Sequence, residues 1–455
     1  MKFLIRGGKI VLSNGIIIAD LLVVDEKIAA MGKDLAASFP VDRTIDATGK
    51  FIFPGLIDAH VHLPWESDGV SSGDDFSSGT KAAICGGVTT IIDFAVPVAG
   101  ESITVAVERR IDEAEGACYT DFSLHAAVTY FDASLPEEIA RVVERGITSF
   151  KLYMLYPGLR LDSGEIYQIM HWVKEAGGLI GVHAENGDII HTRRALFLNQ
   201  GHKEPFYHYL SSPAVVEADA VNQILFLNEH VGGRLYFVHV SAGESLALIA
   251  RAKDRGQTVY AETCPHYLAL TAAEYNRPDG HLFLVSPSLK SADDRDALWN
   301  GVMNGSVDFI STDHCPFSRE QKEVHKDDFT AVPNGMPGVE TRLPILLTEG
   351  YWHRRVPLER IVALTSYTPA RVFGLFPQKG TLQPGSDADL VILDLEKEWT
   401  LRHEDLHMNV DWSPYEEWRC RGLPELVMRR GEIMYEDGEW IADSAHGQFI
   451  TRKIN

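Results

Sequence analysis

An apolar run that ends in two histidines decides the fold: Phe51-Ile-Phe-Pro-Gly-Leu-Ile-Asp-Ala-His-Val-His-Leu63. A continuous apolar run is typical of a strand that is buried on both faces of a parallel sheet. His60 and His62 are two residues apart, so their side chains point to the same face of such a strand. Polar residues at the C-terminal end of a buried strand are where an α/β barrel keeps its chemistry. The stretch therefore predicts a barrel strand whose two imidazoles bind a metal ion, with two solvated histidines as the alternative.

Length and charge narrow the class of protein. The 455 residues suit a barrel of about 250 residues with a second unit beside it. The 64 acidic and 42 basic residues give a formal net charge of -22, which disfavours nucleic acids and anionic membranes as partners. The sequence contains neither an apolar run of about 18 residues nor the apolar core of a signal peptide, which favours a cytoplasmic protein. The five cysteines show no Cys-x-x-Cys spacing, so we expect neither a disulfide framework nor a structural zinc site.

The middle of the chain alternates apolar strands with amphipathic segments, a pattern typical of a parallel sheet covered by helices. Eight strands are predicted, at residues 56–62, 88–96, 121–128, 147–153, 179–183, 235–240, 258–262 and 308–313. Eight such units predict an α/β fold, a closed (β/α)8 barrel of the TIM type, over residues 55–374. The connections 186–213 and 264–306 are long for such a barrel, and we expect functional or lid-like loops there.

Both ends of the chain are instead rich in short strands and turns. The N-terminal strands are predicted at residues 3–5, 9–12, 16–24 and 27–31, with Gly-Gly, Asn-Gly and Asp-Glu turns between them. Similar patterns return after residue 375. Because the N-terminal part is too short to bury its own core, we predict that residues 1–54 and 375–455 join in one small β-sandwich domain.

Residues that can bind metals stand at the C-terminal ends of five predicted barrel strands. They are His60, His62, Lys151, His183, His239 and Asp313. Neutral imidazoles and a carboxylate suit Zn²⁺ or a similar divalent ion. One aspartate is little negative charge for two ions, and a lysine cation beside them would be repelled. A carbamate formed from Lys151 and CO₂ would supply a bridging anion, so we predict a dinuclear metal site. An ordinary lysine that pairs with an acid is the alternative.

Six longer motifs surround these residues. They are Gly55-Leu-Ile-Asp-Ala-His-Val-His62, Phe150-Lys-Leu-Tyr-Met-Leu-Tyr156, Val182-His-Ala-Glu-Asn-Gly-Asp188, His239-Val-Ser241, Glu262-Thr-Cys-Pro-His-Tyr-Leu268 and Ser311-Thr-Asp-His-Cys-Pro-Phe317. Over essentially the whole chain, the sequence resembles the cyclic amidohydrolases, specifically the dihydropyrimidinase/hydantoinase branch. The resemblance implies one histidine pair for each metal ion: His60 with His62, and His183 with His239. It also implies that a carboxylated Lys151 bridges the ions and that Asp313 binds the first ion.

The resemblance further implies a mechanism and a substrate site. A hydroxide between the two ions would attack the amide, and Asp313 would pass its proton to the leaving nitrogen. Tyr156 would donate to the developing oxyanion, and backbone groups at Ser286 and Asn334 would hold the cyclic amide. Zn²⁺ is the expected metal, with Mn²⁺ and Co²⁺ as alternatives. The family forms dimers and tetramers, so a homo-oligomer is expected.

Three relatives of this branch are weighed against it. We prefer a hydantoinase or dihydropyrimidinase, which opens a cyclic diamide to an N-carbamoyl amino acid. Dihydroorotases place an arginine shortly after the histidine pair, where this chain has Leu63-Pro64-Trp65. Allantoinase, which converts allantoin to allantoate, is the main alternative. Allantoinases generally lack a tyrosine at position 156, and residues 64–70 and 153–155 offer an apolar wall for a 5-substituent. A scaffold protein without metal ligands is disfavoured because all six ligand positions are filled.

Overall fold

The computed structural model describes residues 1–35, 40–67 and 69–453, and a parallel barrel occupies the middle of the chain. Within these ranges, eight barrel strands neighbour one another in sequence order: Leu56–Val61, Val88–Ala95, Asp121–Ala127, Ser149–Tyr153, Leu179–His183, Arg234–Phe237, Val259–Thr263 and Phe309–Ile310. Each of them overlaps its predicted counterpart. The predicted (β/α)8 fold class is therefore confirmed.

Helices cover the outside of the barrel, so the first five barrel strands are buried along their whole length. The main helices run over Phe76–Cys85, Ile103–Ala114, Leu135–Glu144, Ser163–Glu175, Ala214–Val231, Gly243–Asp254 and Ala292–Asn304. Local sequence signals fix their ends. Asp162 accepts hydrogen bonds from the Gly164 and Glu165 amides at one N-terminus. Gly146, with a φ of +92°, lies just after the C-terminal end of the helix Leu135–Glu144.

Side chains close the barrel where its first and last strands meet. Among the described residues, the strand pairing there is a single bridge between Val61 and His314. Asp58 adds hydrogen bonds from the Thr312 amide at 3.1 Å and the Thr312 hydroxyl at 2.7 Å. The buried Arg342 guanidinium donates to the carbonyl oxygens of Ile57 at 2.9 Å and Ile310 at 2.8 Å. These contacts hold the ends of the first and eighth strands together, beside the predicted metal ligands.

One sheet unites the two ends of the chain. In the described part of the chain its nine strands are Lys2–Leu12, Gly15–Val24, Lys27–Gly32, Arg43–Asp46, Phe51–Pro54, Leu390–Thr400, Arg419–Arg429, Glu432–Glu436 and Glu439–Trp440. Phe51–Pro54 joins the halves, because it pairs with both Lys2–Leu12 and Leu390–Thr400. The unit built from both termini is therefore present. Its predicted boundaries, 1–54, 55–374 and 375–455, stay predictions.

One local prediction was wrong. The first strand runs through Gly7 and Gly8 with a bulge and no hairpin turn, since Gly7 takes a φ of +71° while pairing with Gly15–Val24 continues on both sides. The long connections 186–213 and 264–306, expected to be functional or lid-like, are largely helical, and that expectation stays a prediction. They contain helices, including Gly187–Asn199 and Phe206–Ser211. Gly187–Asn199 buries only Gly187 and Ile190, so its sequence carries little apolar periodicity. None of the described helices has the length and apolar character needed to cross a membrane.

Candidate active site

All six predicted metal-binding side chains line one cavity at the C-terminal ends of the barrel strands. They are His60, His62, Lys151, His183, His239 and Asp313. The cavity has a volume of about 1080 Å³. Parallel strands end at the same rim, so residues that are up to 253 positions apart in the chain (60 to 313) come together there.

His60, His62 and Asp313 form the first of two groups. Asp313 Oδ1 lies 3.1 Å from His60 Nε2 and 3.1 Å from His62 Nε2. One ligand atom from each residue lies within 4.8 Å of the others, as a shared metal ion requires. Burial alone would raise the pKa of Asp313, but the charges of the histidines and their hydrogen bonds hold it well below its ordinary value. The Asp313 carboxylate is therefore ionised at neutral pH.

His183 and His239 form the second group. His183 Nδ1 lies 2.9 Å from His239 Nε2, and the ring centroids are 4.6 Å apart. The other nitrogen of His239, Nδ1, is buried and has no hydrogen-bond partner among the described residues. The His239 ring centroid is 5.4 Å from that of His60, so the two groups are adjacent. This grouping matches the two histidine pairs that the sequence resemblance implies.

The amine of Lys151 lies among these side chains. It is 2% exposed, and its Nζ is 5.1 Å from the Phe94 ring centroid and 5.3 Å from that of Tyr153. No described residue gives it a hydrogen bond or an ion pair. Burial lowers the pKa of Lys151 to about 8, although Asp313 opposes the shift. The Asp313 and Glu262 charges outweigh burial and raise the pKa of His60 to about 9, and the Lys151 charge opposes this rise. Burial lowers the pKa of His183 and His239, and the Lys151 charge adds to that shift.

Three residues of this site have a strained backbone. Nine described residues other than glycine have a positive φ, and three of them are Tyr156 at +51°, His239 at +39° and Asp313 at +51°. Such conformations cost about 1–3 kcal/mol each and persist where the surrounding structure enforces them. These three residues are among those predicted from the sequence to act at the site.

The predicted substrate-binding residues Tyr156, Ser286 and Asn334 line the same cavity. The Tyr156 ring centroid is 4.9 Å from that of His183. Burial raises the pKa of Tyr156 well above its ordinary value, the Glu185 charge adds to the shift, and an interaction with the Ser286 side chain opposes it. The phenol is therefore protonated and can donate. Asn334 Oδ1 is buried and finds no hydrogen-bond partner in the part of the chain that is described.

The predicted apolar wall is present in part. Pro64, Trp65 and Val70 line the cavity from the first segment, and Tyr153 and Leu155 line it from the second. Residue 68, inside the first predicted segment, lies outside the described residues.

Sequence reasoning missed two buried carboxylates that orient the histidines. Glu262 Oε1 lies 2.6 Å from His60 Nδ1 and accepts from the His239 amide at 3.0 Å, so it connects the two groups. Glu185 Oε2 lies 2.9 Å from His183 Nε2. Such carboxylates fix which ring nitrogen of a histidine is free to bind a metal. Glu185 stands two residues after His183, a same-face spacing that would have revealed it. Glu262 ends a barrel strand within a motif already recognised.

Comparisons with known proteins extend over nearly the full chain. Residues 51–434 match the amidohydrolase family. A D-hydantoinase of Ralstonia pickettii is 40% identical over 457 residues, which cover 100% of this chain and 99% of that protein. A D-phenylhydantoinase of Escherichia coli O1:K1 / APEC is 39% identical over 456 residues, which cover 100% and 98%. The crystal structure of dihydropyrimidinase from Brevibacillus agri NCHU1002 has a TM-score of 0.97 and 37% identity, and the match covers 99% of both chains.

Proposed function

Because the chain belongs to the amidohydrolase family, we propose that it hydrolyses the cyclic amide bond of hydantoins and dihydropyrimidines to give N-carbamoyl amino acids. One observation carries the proposal: six metal-binding side chains from five strands line one large cavity, in a chain that matches hydantoinases from end to end. Cyclic amides are small enough to enter this cavity whole.

We propose that two divalent metal ions occupy the site. The residues that would hold them are His60, His62, His183, His239, Asp313 and Lys151. The donor set fits such ions, because it is buried, rich in imidazole and divided into two adjacent groups. It suits Zn²⁺, with Mn²⁺ and Co²⁺ as alternatives. When bound, such ions polarise a carbonyl oxygen and lower the pKa of water towards neutrality.

Lys151 would contribute to this site as a carbamate. Its lowered pKa gives a substantial fraction of neutral amine near neutral pH, and only the neutral amine is a nucleophile. Nζ adds to CO₂ and releases one proton, which converts a potential cation into an anion. This change removes the cost of a buried cation without an acid partner, and it supplies negative charge to both histidine groups.

Asp313 would move the proton during hydrolysis. Its ionised carboxylate accepts a proton from the attacking water, whose oxygen forms a bond to the amide carbon. The carbon–nitrogen bond of the ring then breaks, and Asp313 returns the proton to the leaving nitrogen. The products are a carboxylate and a ureido group on one open chain.

Tyr156 would stabilise the charge that develops on the carbonyl oxygen. Its protonated hydroxyl is a suitable donor, and its strained backbone shows that its position is enforced. Ser286 and Asn334, which line the cavity with it, would hold the ring amide through backbone groups. These roles rest on the resemblance together with the shared cavity.

The same resemblance supports a cytoplasmic homo-oligomer, which we propose to be a dimer or a tetramer. Sedimentation of the purified protein gives the mass of the assembly. A monomer at micromolar concentration would contradict this assignment.

Ring-opening rates and metal content test the function together. Dihydrouracil, 5-phenylhydantoin and allantoin are compared with one metal-loaded preparation, and metal is counted by mass spectrometry. We expect two metal ions per chain and the highest kcat/KM on the hydantoin or on dihydrouracil. A preference for allantoin would support the allantoinase alternative. Failure to open any of the three rings would contradict the proposed function.

A further inference from the structure

Arg194 occupies a distinctive place in the wall of the active-site cavity. It belongs to the helix Gly187–Asn199, which begins shortly after the barrel strand that carries His183. Ile190, one helical turn earlier, packs in a cluster with Leu155 and Val216. That packing fixes the helix against the rim of the cavity. Arg194 lines the cavity, as does His191 three residues before it.

Arg194 differs from the other arginines that line the cavity. Arg109 forms ion pairs with Glu101 and Glu113, and Arg110 forms an ion pair with Asp93. Within the described ranges, the Arg194 side chain has no hydrogen bond and no ion pair, and its Nε is buried without a partner. The main negative charge acting on it is that of Glu185, which interacts with it without forming an ion pair. Arg194 is half-buried, and a guanidinium without an ion pair that lines a binding cavity is available to an anionic ligand.

The ring of the proposed substrate does not need this charge. Tyr156, Ser286 and Asn334 offer neutral hydrogen-bonding groups for a cyclic amide, which is itself uncharged. The cavity volume of about 1080 Å³ lies just above the usual range of about 300–1,000 Å³ for pockets that hold drug-sized ligands, so it leaves room for a substituent on the ring. A guanidinium matches the geometry of a carboxylate and binds it through two parallel hydrogen bonds.

We propose that Arg194 binds a carboxylate on the 5-substituent of the cyclic amide, so that the preferred substrates are hydantoins or dihydropyrimidines with a carboxyalkyl arm. This inference rests on the proposed ring-opening function. The methylene groups of such an arm suit the apolar wall that includes Leu155, and its charged end suits Arg194. In a chain with a net charge of -22, the unpaired Arg194 provides local positive charge that would attract an anion to this part of the cavity.

A matched pair of substrates tests the proposal. The two compounds are 5-(2-carboxyethyl)hydantoin and its primary amide, 5-(2-carbamoylethyl)hydantoin, which have nearly the same size but differ in charge. We expect the wild-type enzyme to prefer the acid by about 10- to 100-fold in kcat/KM, the effect of one charge-assisted contact. The preference should lie mainly in KM, because the arm is bound alike in the ground state and the transition state.

Two variants at position 194 and a neighbouring control locate the effect. Arg194→Gln should bring the acid-to-amide ratio close to one, and Arg194→Lys should keep an intermediate ratio. Arg193→Gln removes the same charge from the adjacent residue, whose Nε donates to the Leu210 carbonyl at 2.7 Å, and should keep the wild-type ratio. A wild-type ratio near one overturns the proposal, as does an unchanged ratio in Arg194→Gln. Failure to open either ring would instead overturn the proposed function and this inference with it.

Discussion

Two buried lysines of this molecule have opposite surroundings. Lys151, in the mouth of the barrel, is 2% exposed, and Lys379, at the junction with the terminal sheet, is 1% exposed. Lys379 Nζ donates to Asp121 and Asp389, and Asp387 also lies within 3.0 Å. These charges raise the pKa of Lys379 in spite of its burial, whereas burial without a paired acid lowers the pKa of Lys151 to about 8.

The difference separates a lysine whose charge is paired within the fold from one that we propose to take part in the chemistry of the site. Asp121 begins the third barrel strand, and Asp389 precedes the sheet strand Leu390–Thr400, so Lys379 joins the barrel to the sheet. The positive charge of Lys379 is balanced by the carboxylates around it. Lys151 has no such partner, so its amine is available to lose its proton, to react or to bind a ligand. Each of these properties suits a catalytic site better than a structural core.

Of the four substitutions, we expect Lys151→Ala to be the most severe, because it removes the lysine that we propose to act in the metal site. Without a bridging carbamate, we expect the loss of most bound metal and a fall in turnover of about 10³-fold or more, since each lost 1.36 kcal/mol is tenfold in rate. Small carboxylic acids should partly restore both, because a free carboxylate can enter the space that the side chain leaves. Metal counts and rates with and without acetate provide the measurement. Unchanged metal content would remove the carbamate from the mechanism.

The Lys379→Met substitution tests whether the second lysine stabilises the fold. Removal of one partner from a buried ionic network leaves uncompensated charges, so the free energy of unfolding should fall by about 3–5 kcal/mol. Metal content and turnover of the folded protein should be retained. Urea unfolding at fixed metal concentration measures the effect. Lys203→Met is the matched control, because Lys203 is 54% exposed in its pair with Asp328 and should change the free energy by less than about 1 kcal/mol. Equal midpoints for the two variants would contradict the structural assignment.

The two lysines also show what sequence could and could not predict. Lys151 could be singled out because it is a charged residue within a short apolar barrel strand, Ser149–Tyr153, and such a strand pattern is local to a short run of residues. Lys379 was not found, because its partner Asp121 is 258 positions away in another part of the fold. The contact of Glu262 with His60 spans 202 positions and was missed for the same reason.

Local patterns also failed where pairing or packing overrides them. Gly7 and Gly8 are typical of a turn, yet the neighbouring strand Gly15–Val24 holds them in a bulged ladder. The helix Gly187–Asn199 escaped prediction because it buries little of its surface. The six candidate ligands could be expected to meet because the rim of a parallel barrel collects strand ends, whatever the rest of the tertiary structure does; their binding of metal stays a prediction.

The Tyr156→Phe substitution separates an effect on turnover from an effect on metal binding. Loss of one oxyanion donor should lower turnover by about 10²–10³-fold while bound metal stays in place. Tyr153→Phe is the control, since it removes only a buried hydroxyl in the same cavity and keeps the ring that belongs to the apolar wall, and we expect turnover within about fivefold of wild type. Near-wild-type turnover of Tyr156→Phe would end the assignment of this donor.

Of the four substitutions, we expect Glu262→Gln to be the mildest. It tests whether the buried Glu262 carboxylate holds the metal-binding histidines in place, as the aspartates hold Lys379. Gln keeps the shape of Glu262 but loses the charge that holds His60 and the His239 amide. Metal affinity should fall by about 10- to 100-fold, as measured by competition with a chelator. Glu138→Gln changes a buried carboxylate away from the cavity, one that accepts from the Ile103 amide and Tyr130, and should leave metal affinity unchanged. If both variants bind metal like the wild type, the ligand geometry is set by the strand ends alone, and Glu262 contributes only to folding.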